Sequence, residues 1–88
     1  MLSLDAFKEA RSVLQGVLRP TPLIHSPYLS RSCGNNIYVK PENMQVTGAY
    51  KIRGAYYKIS TLSQEEKERG LVTASAGNHA QGVAYAAQ

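Results

Sequence analysis

Tryptophan is absent from these 88 residues, and cysteine occurs once, at Cys33. A single thiol excludes an intrachain disulfide, the usual staple of a domain too small to build a large core, and it fits a reducing cytosol. The only histidines, His25 and His79, stand far apart with no cysteine or acidic cluster at ligand spacing, which excludes a metal-centred site. Apolar runs are far too short to span a bilayer. The opening segment, Met1 to Ala10, carries Asp5, Lys8 and Glu9 and lacks the apolar stretch of a signal peptide, so a cytoplasmic protein without membrane contact is expected. Charge is unbalanced, with ten basic against six acidic residues and a net +4, yet no basic run exists. The cations are scattered singly from Lys8 to Arg69, which argues against a nucleic-acid partner and leaves open an anionic small ligand held by a few groups. A chain this short buries only a modest share of its surface, so marginal stability is expected of it alone.

What is present is a clear order of elements. Leu4, Phe7, Ala10, Val13, Leu14, Val17 and Leu18 follow the three-and-four spacing of an amphipathic helix, with Ser3 placed to cap it and Asp5 in its first turn. Arg19-Pro20-Thr21-Pro22 ends that helix, because a residue before proline is pushed out of the helical region. Ser26-Pro27 predicts a second, short helix that stops at Cys33-Gly34. A strand over Ile37 to Val39 follows, then a polar, non-periodic loop from Pro41 to Gly48. The spacing of Ile52, Ala55, Tyr56, Ile59 and Leu62 predicts a helix from Tyr50. Ser63-Gln64-Glu65-Glu66 is a capping-box sequence opening a charged helix that Gly70 ends. Leu71 to Ala74 is expected as a buried strand, Ser75 to Asn78 as a turn, and His79 to Gln88 as a helix with Ala80, Val83, Ala84 and Ala87 on one face. Strands alternating with helices predict an α/β fold with a parallel sheet. Two strands cannot complete such a sheet, and the last helix reaches Gln88 without a glycine, proline or basic cap. Residues 1–88 are therefore expected to be part of a larger domain, with no complete domain boundary inside the chain.

Two segments carry chemistry. In Lys40-Pro41-Glu42-Asn43-Met44-Gln45-Val46-Thr47-Gly48-Ala49-Tyr50-Lys51-Ile52-Arg53-Gly54-Ala55, Lys51 follows a glycine-containing loop at a helix start. The positive end of the helix dipole disfavours a nearby cation, so this position favours the neutral amine that condenses with a carbonyl. A solvated surface lysine is the plainer alternative. In Val72-Thr73-Ala74-Ser75-Ala76-Gly77-Asn78-His79-Ala80-Gln81-Gly82, a strand turns through small residues into a helix. Unpaired N–H groups at such a turn suit a carboxylate or phosphate, and Ser75, Asn78 and Gln81 add hydrogen-bonding side chains. Against this, Ser75 or Asn78 could serve only as a helix cap, and His79 could be structural.

The first segment resembles the cofactor-attachment signature of the serine/threonine dehydratase family, with Glu42, the triplet Ala49-Tyr50-Lys51, and Arg53-Gly54-Ala55 in its places. The second resembles that family's asparagine loop, here Ser75-Ala76-Gly77-Asn78-His79-Ala80-Gln81-Gly82. Thr21-Pro22-Leu23 matches a weaker N-terminal element, and the likeness runs from Leu18 onward. The resemblance implies the tryptophan-synthase-β-like arrangement of pyridoxal-phosphate enzymes (fold type II), two α/β domains with pyridoxal 5'-phosphate between them. It implies that Lys51 carries the cofactor and is the catalytic base, and that Asn78 hydrogen-bonds the cofactor's ring oxygen. Ser75, Asn78, His79 and Gln81 would surround the carboxylate of an amino-acid substrate.

The implied reaction is β-elimination from L-threonine, with L-serine as a further substrate, to a 2-oxo acid and ammonia. Such a lyase would act in isoleucine biosynthesis or threonine catabolism, in a homo-oligomeric parent. Glu42-Asn43-Met44-Gln45 and Tyr50-Lys51-Ile52-Arg53-Gly54 look most like the threonine dehydratases. The related serine racemases carry a serine just before the loop glycine as a second acid/base. Ala76 stands there and has no proton to give, which favours elimination over racemisation. Ala49 departs from the serine that many members have. The family's glycine-rich phosphate loop lies further along, and neither Gly77 nor Gly82 is that loop, so the 88 residues alone are expected to be inactive. The alternatives are a racemase-like or other fold-type-II enzyme, a non-catalytic remnant that only binds, and a generic anion-binding α/β domain.

Overall fold

The computed structural model describes all 88 residues. Ser3 caps α1 (Leu4–Leu14) by accepting from the Ala6 N–H at 3.2 Å, as its residue type predicts. The helix ends earlier than the apolar spacing predicts, because Gly16 takes a left-handed φ of 85° and turns Val17 and Leu18 off the helix axis. Strand β1 (Ile24–His25) precedes α2 (Pro27–Cys33), which has the expected Ser26 cap, Pro27 at its start and left-handed Gly34 at its end. Strand β2 (Tyr38–Val39) pairs antiparallel with β1, Ile24 opposite Val39 and His25 opposite Tyr38. A single 3₁₀ turn, Glu42–Met44, lies inside the predicted loop. Helix α3 (Lys51–Ser60), the capping-box helix α4 (Gln64–Glu68) and α5 (Asn78–Ala86) complete the chain.

The strand expected at Leu71 to Ala74 has no ladder partner, and Val72 is fully exposed. The parallel sheet is thus not formed inside this chain, whose one ladder is the short antiparallel β1–β2 pair. Helices α3 and α4 make a connection long enough for a parallel crossover, but residues 71–74 do not come to lie beside β2 or β1.

The core lies where α5 crosses α3. Ile52 is wholly buried, with Ala49 and Ala55 beside it, and Leu14 brings α1 onto the same helix. Few other side chains are covered: only seven of 88 residues are buried. The accessible surface of 6777 Å² exceeds the value of about 5,100 Å² for a compact protein of this mass. The radius of gyration, 16.0 Å, likewise exceeds the roughly 12 Å of a compact chain of this length. Tyr56, Ile59, Leu71, Val83 and Ala84 line an open groove of about 660 Å³ on the uncovered side. No helix is long and apolar enough to cross a membrane.

Candidate active site

Lys51 is the first residue of α3 and is exposed, with its Nζ 5.3 Å from the centre of the Tyr50 ring. No carboxylate pairs with it; the ion pairs of this chain join Lys8 to Asp5, Arg53 to Glu42 and Arg69 to Glu65. The approach to Lys51 is a tight turn. Gly48 donates its N–H to the Gln45 carbonyl at 2.8 Å and takes a φ of 72°, a conformation that favours glycine. Tyr50 occupies the cap position without a side-chain hydrogen bond; the Arg53 N–H bonds back to the Tyr50 carbonyl at 3.0 Å, and the Lys51 and Ile52 amides are left without a capping group.

The second segment opens α5. Ser75, Ala76, Asn78 and Gln81 are exposed, and His79 is half-buried. Neither Ser75 nor Asn78 caps the helix. The cap is Gly77, which has no side chain to offer, and the Ser75 hydroxyl instead accepts the Gly77 N–H at 3.2 Å. The N–H groups of Asn78, His79 and Ala80 therefore point out of the helix unpaired, while Gln81 makes the first bond back to Gly77. Three free N–H groups and a helix dipole favour an anion such as a carboxylate.

One glycine brings the two segments together. Gly82 is buried, and a methyl group built on it would lie 3.3 Å from both the Lys51 carbonyl carbon and the Ile52 nitrogen. The α5 backbone thus rests directly on the first turn of α3. Asn78 lies four residues back along α5, about 6 Å in helical rise from this contact. The first turn of α3, which Lys51 opens, therefore lies against α5 one turn from the start of that helix. The residues fit a cofactor that is carried on a lysine and approached by an anionic substrate: an unpaired amine, free N–H donors, and side chains of Ser75, Asn78 and Gln81 open to solvent.

Sequence reasoning identifies Glu42, Arg53 and Thr21 only as places in a pattern. The structure joins them. Arg53 donates to both Glu42 oxygens, Nε to Oε2 at 2.9 Å and Nη2 to Oε1 at 2.8 Å. The Thr21 hydroxyl donates to Glu42 Oε1 and accepts from Arg53 Nη2 at 3.2 Å, closing a ring. Lys40 Nζ holds the Thr21 carbonyl at 2.6 Å. The Arg53 hydrogen bonds hold the Glu42 carboxyl down at about 2; burial opposes this, and the Thr21 hydroxyl and the charges of Arg53 and Lys40 assist it. Gln45 has no part in the sequence reading beyond its place in the same pattern. It is 3% exposed, and its amide binds both Arg19 backbone groups, accepting from the N–H at 2.9 Å and donating to the carbonyl at 3.1 Å. A glutamine in a polar loop carries no sign of burial, so only the folded chain reveals this contact.

Residues 14–88 match the family described as pyridoxal-phosphate dependent enzyme. The chain is 57% identical over 88 residues to the L-threonine ammonia-lyase of Thermotoga maritima, covering all of this chain and 22% of that protein. Among solved structures it resembles maize serine racemase, with a TM-score of 0.87 and 38% identity over 96% of this chain and 26% of that one. It also resembles the processed form of threonine deaminase isoform 2 from Solanum lycopersicum, with a TM-score of 0.75 and 40% identity over 98% and 26% of the two chains. The chain thus spans about a quarter of the length of the proteins it matches. These structural neighbours are fold-type-II pyridoxal-phosphate enzymes, the arrangement that the two motifs implied.

Proposed function

We propose, from the premise that the chain belongs to the pyridoxal-phosphate dependent enzyme family, that in a protein of its relatives' length these residues form the lysine-bearing N-terminal part of a threonine ammonia-lyase. Its substrate is L-threonine, with L-serine as a second, and its products are a 2-oxo acid and ammonia. What supports this reading is the unpaired Lys51 amine at the start of α3 together with the Gly82 contact, which rests α5 on the backbone of that same turn.

In this reading Lys51 would hold the cofactor and would be the base that takes the substrate's α-proton. The cofactor ring supplies the electron sink that makes that proton removable. Asn78 would hydrogen-bond the cofactor. The N–H groups of Asn78 and His79, with Ser75 and Gln81, hold the substrate carboxylate and so fix which bond faces Lys51. No boundary of a complete domain falls within residues 1–88. The cytoplasmic setting, the homo-oligomeric state and a role in isoleucine biosynthesis or threonine breakdown belong to the same proposal and rest on the family resemblance.

The likeness to a serine racemase favours a second reading, in which the same residues serve racemisation. Ala76 weighs against it: it is exposed just before α5, and its methyl group has no proton to deliver to the opposite face. Two measurements on the full-length protein test the proposal. Borohydride reduction and peptide mapping should place the pyridoxyl label on Lys51; a label on Lys40 or Lys58 would overturn the assignment. Incubation with L-threonine should release 2-oxo acid, and chiral analysis after L-serine should find very little D-serine. Abundant D-serine would establish the racemase reading instead.

A further inference from the structure

Lys51 sits on a segment gripped from both sides. Upstream, Gln45 fastens the loop to Arg19 and also accepts the Val46 N–H at 3.1 Å, while Glu42 receives the Thr21 hydroxyl. Downstream, Arg53 returns to the same Glu42 and Thr21. Thr21 is 3% exposed, so its hydroxyl has little water to fall back on. Residues two apart on a helix point to nearly opposite faces, so Arg53 grips α3 on the side away from Lys51. The ring of Thr21, Glu42 and Arg53 therefore acts on Lys51 through the backbone and leaves its amine free.

We propose that Thr21, Glu42 and Arg53, with Gln45 beside them, are positioning residues for Lys51: their closed hydrogen-bonded ring locks the Gln45–Lys51 turn to the 19–21 segment and thereby sets the direction of the Lys51 amine. The bidentate Arg53–Glu42 pair has the geometry for this, because two parallel bonds fix orientation as well as distance. The third member removes the remaining freedom, since the Thr21 hydroxyl touches both partners. This inference rests on the reading that Lys51 bears the cofactor.

The test uses the full-length protein loaded with pyridoxal phosphate, and the variants Thr21→Val and Thr21→Ser. Valine keeps the size of threonine and removes the hydroxyl, whereas serine keeps the hydroxyl. Loss of one such hydrogen bond shifts an equilibrium by about tenfold. Thr21→Val should accordingly lower kcat about tenfold with KM little changed, weaken the induced circular dichroism of the lysine-bound cofactor, and speed amide exchange at residues 46–51. Thr21→Ser should restore all three readouts. Equal behaviour of the two variants would overturn the proposal. So would a Thr21→Val protein that melts earlier yet keeps its kcat and cofactor signal. If the parental protein takes up no cofactor, the reading of Lys51 has failed; exchange at 46–51 then decides the clamp by itself, and unchanged exchange in Thr21→Val overturns it.

Discussion

Removing the Glu42 charge should cost stability in a way that acid erases. Glu42→Gln keeps the side chain's shape but removes the negative charge and one of the two acceptor oxygens, leaving the Arg53 cation without its counter-ion. The carboxyl is lowered from 4.5 to about 2 in the folded chain, first by the Arg53 hydrogen bonds. At about 1.4 kcal/mol for each pH unit separating those two values, the difference corresponds to roughly 3 kcal/mol as an upper bound. The Arg53 side chain is 35% exposed and water screens its open face, so about 1–2 kcal/mol is the expected loss at neutral pH. The sign follows from the depressed value. A carboxyl lower in the folded than in the unfolded state adds stability that is complete above about pH 4.5 and vanishes as the pH falls through about 2. Urea denaturation of the full-length protein and the E42Q variant at a series of pH values from neutral to acidic measures this directly. The gap between the two should be widest at neutral pH and close on acidification. A gap that stays constant across that range, or no gap at neutral pH, would show that the ring does not hold its ionised form.

The 88 residues produced alone should give a broad, weakly cooperative thermal melt by circular dichroism, unmoved by pyridoxal phosphate. The surface is about a third larger than that of a compact protein of this mass, and Ile52 is the only large side chain fully buried. A sharp melt raised by the cofactor would refute this. Gly82→Ala should place a methyl group against the Lys51–Ile52 backbone, which unlike a flexible side chain has little room to yield. Overpacking of about 1–3 kcal/mol offsets the roughly 1 kcal/mol that alanine gains in a helix, so melting should fall slightly while kcat falls more. Unchanged kcat in the full-length variant would mean that the α5–α3 contact does not set the site.

Several helix ends were legible because one residue type does a local job there, although the stop of α1 at Gly16 and the Gly77 cap of α5 were not. Ser3, Ser26 with Pro27, Gly34, and the Ser63/Glu66 box each act within a few residues of themselves, and each is found in its expected role. The strand positions were less legible. A two-residue strand such as β1 has no periodicity to detect, and Leu71 to Ala74 reads as a strand although no partner in this chain pairs with it. Pairing depends on a neighbour, which an apolar run does not specify.

The same division runs through the site. The types of Lys51, Ser75, Asn78, His79 and Gln81, and their places at two helix starts, were determined by sequence alone, because donors, amines and glycine turns are properties of single residues and their near neighbours. Only the tertiary structure decided that Gly82 lays α5 on Lys51, that Gln45 is buried on Arg19, and that Thr21, Glu42 and Arg53 close into one ring across 32 positions of chain. Those contacts join segments far apart in sequence, and whether such groups meet is settled by packing, on which residue spacing is silent.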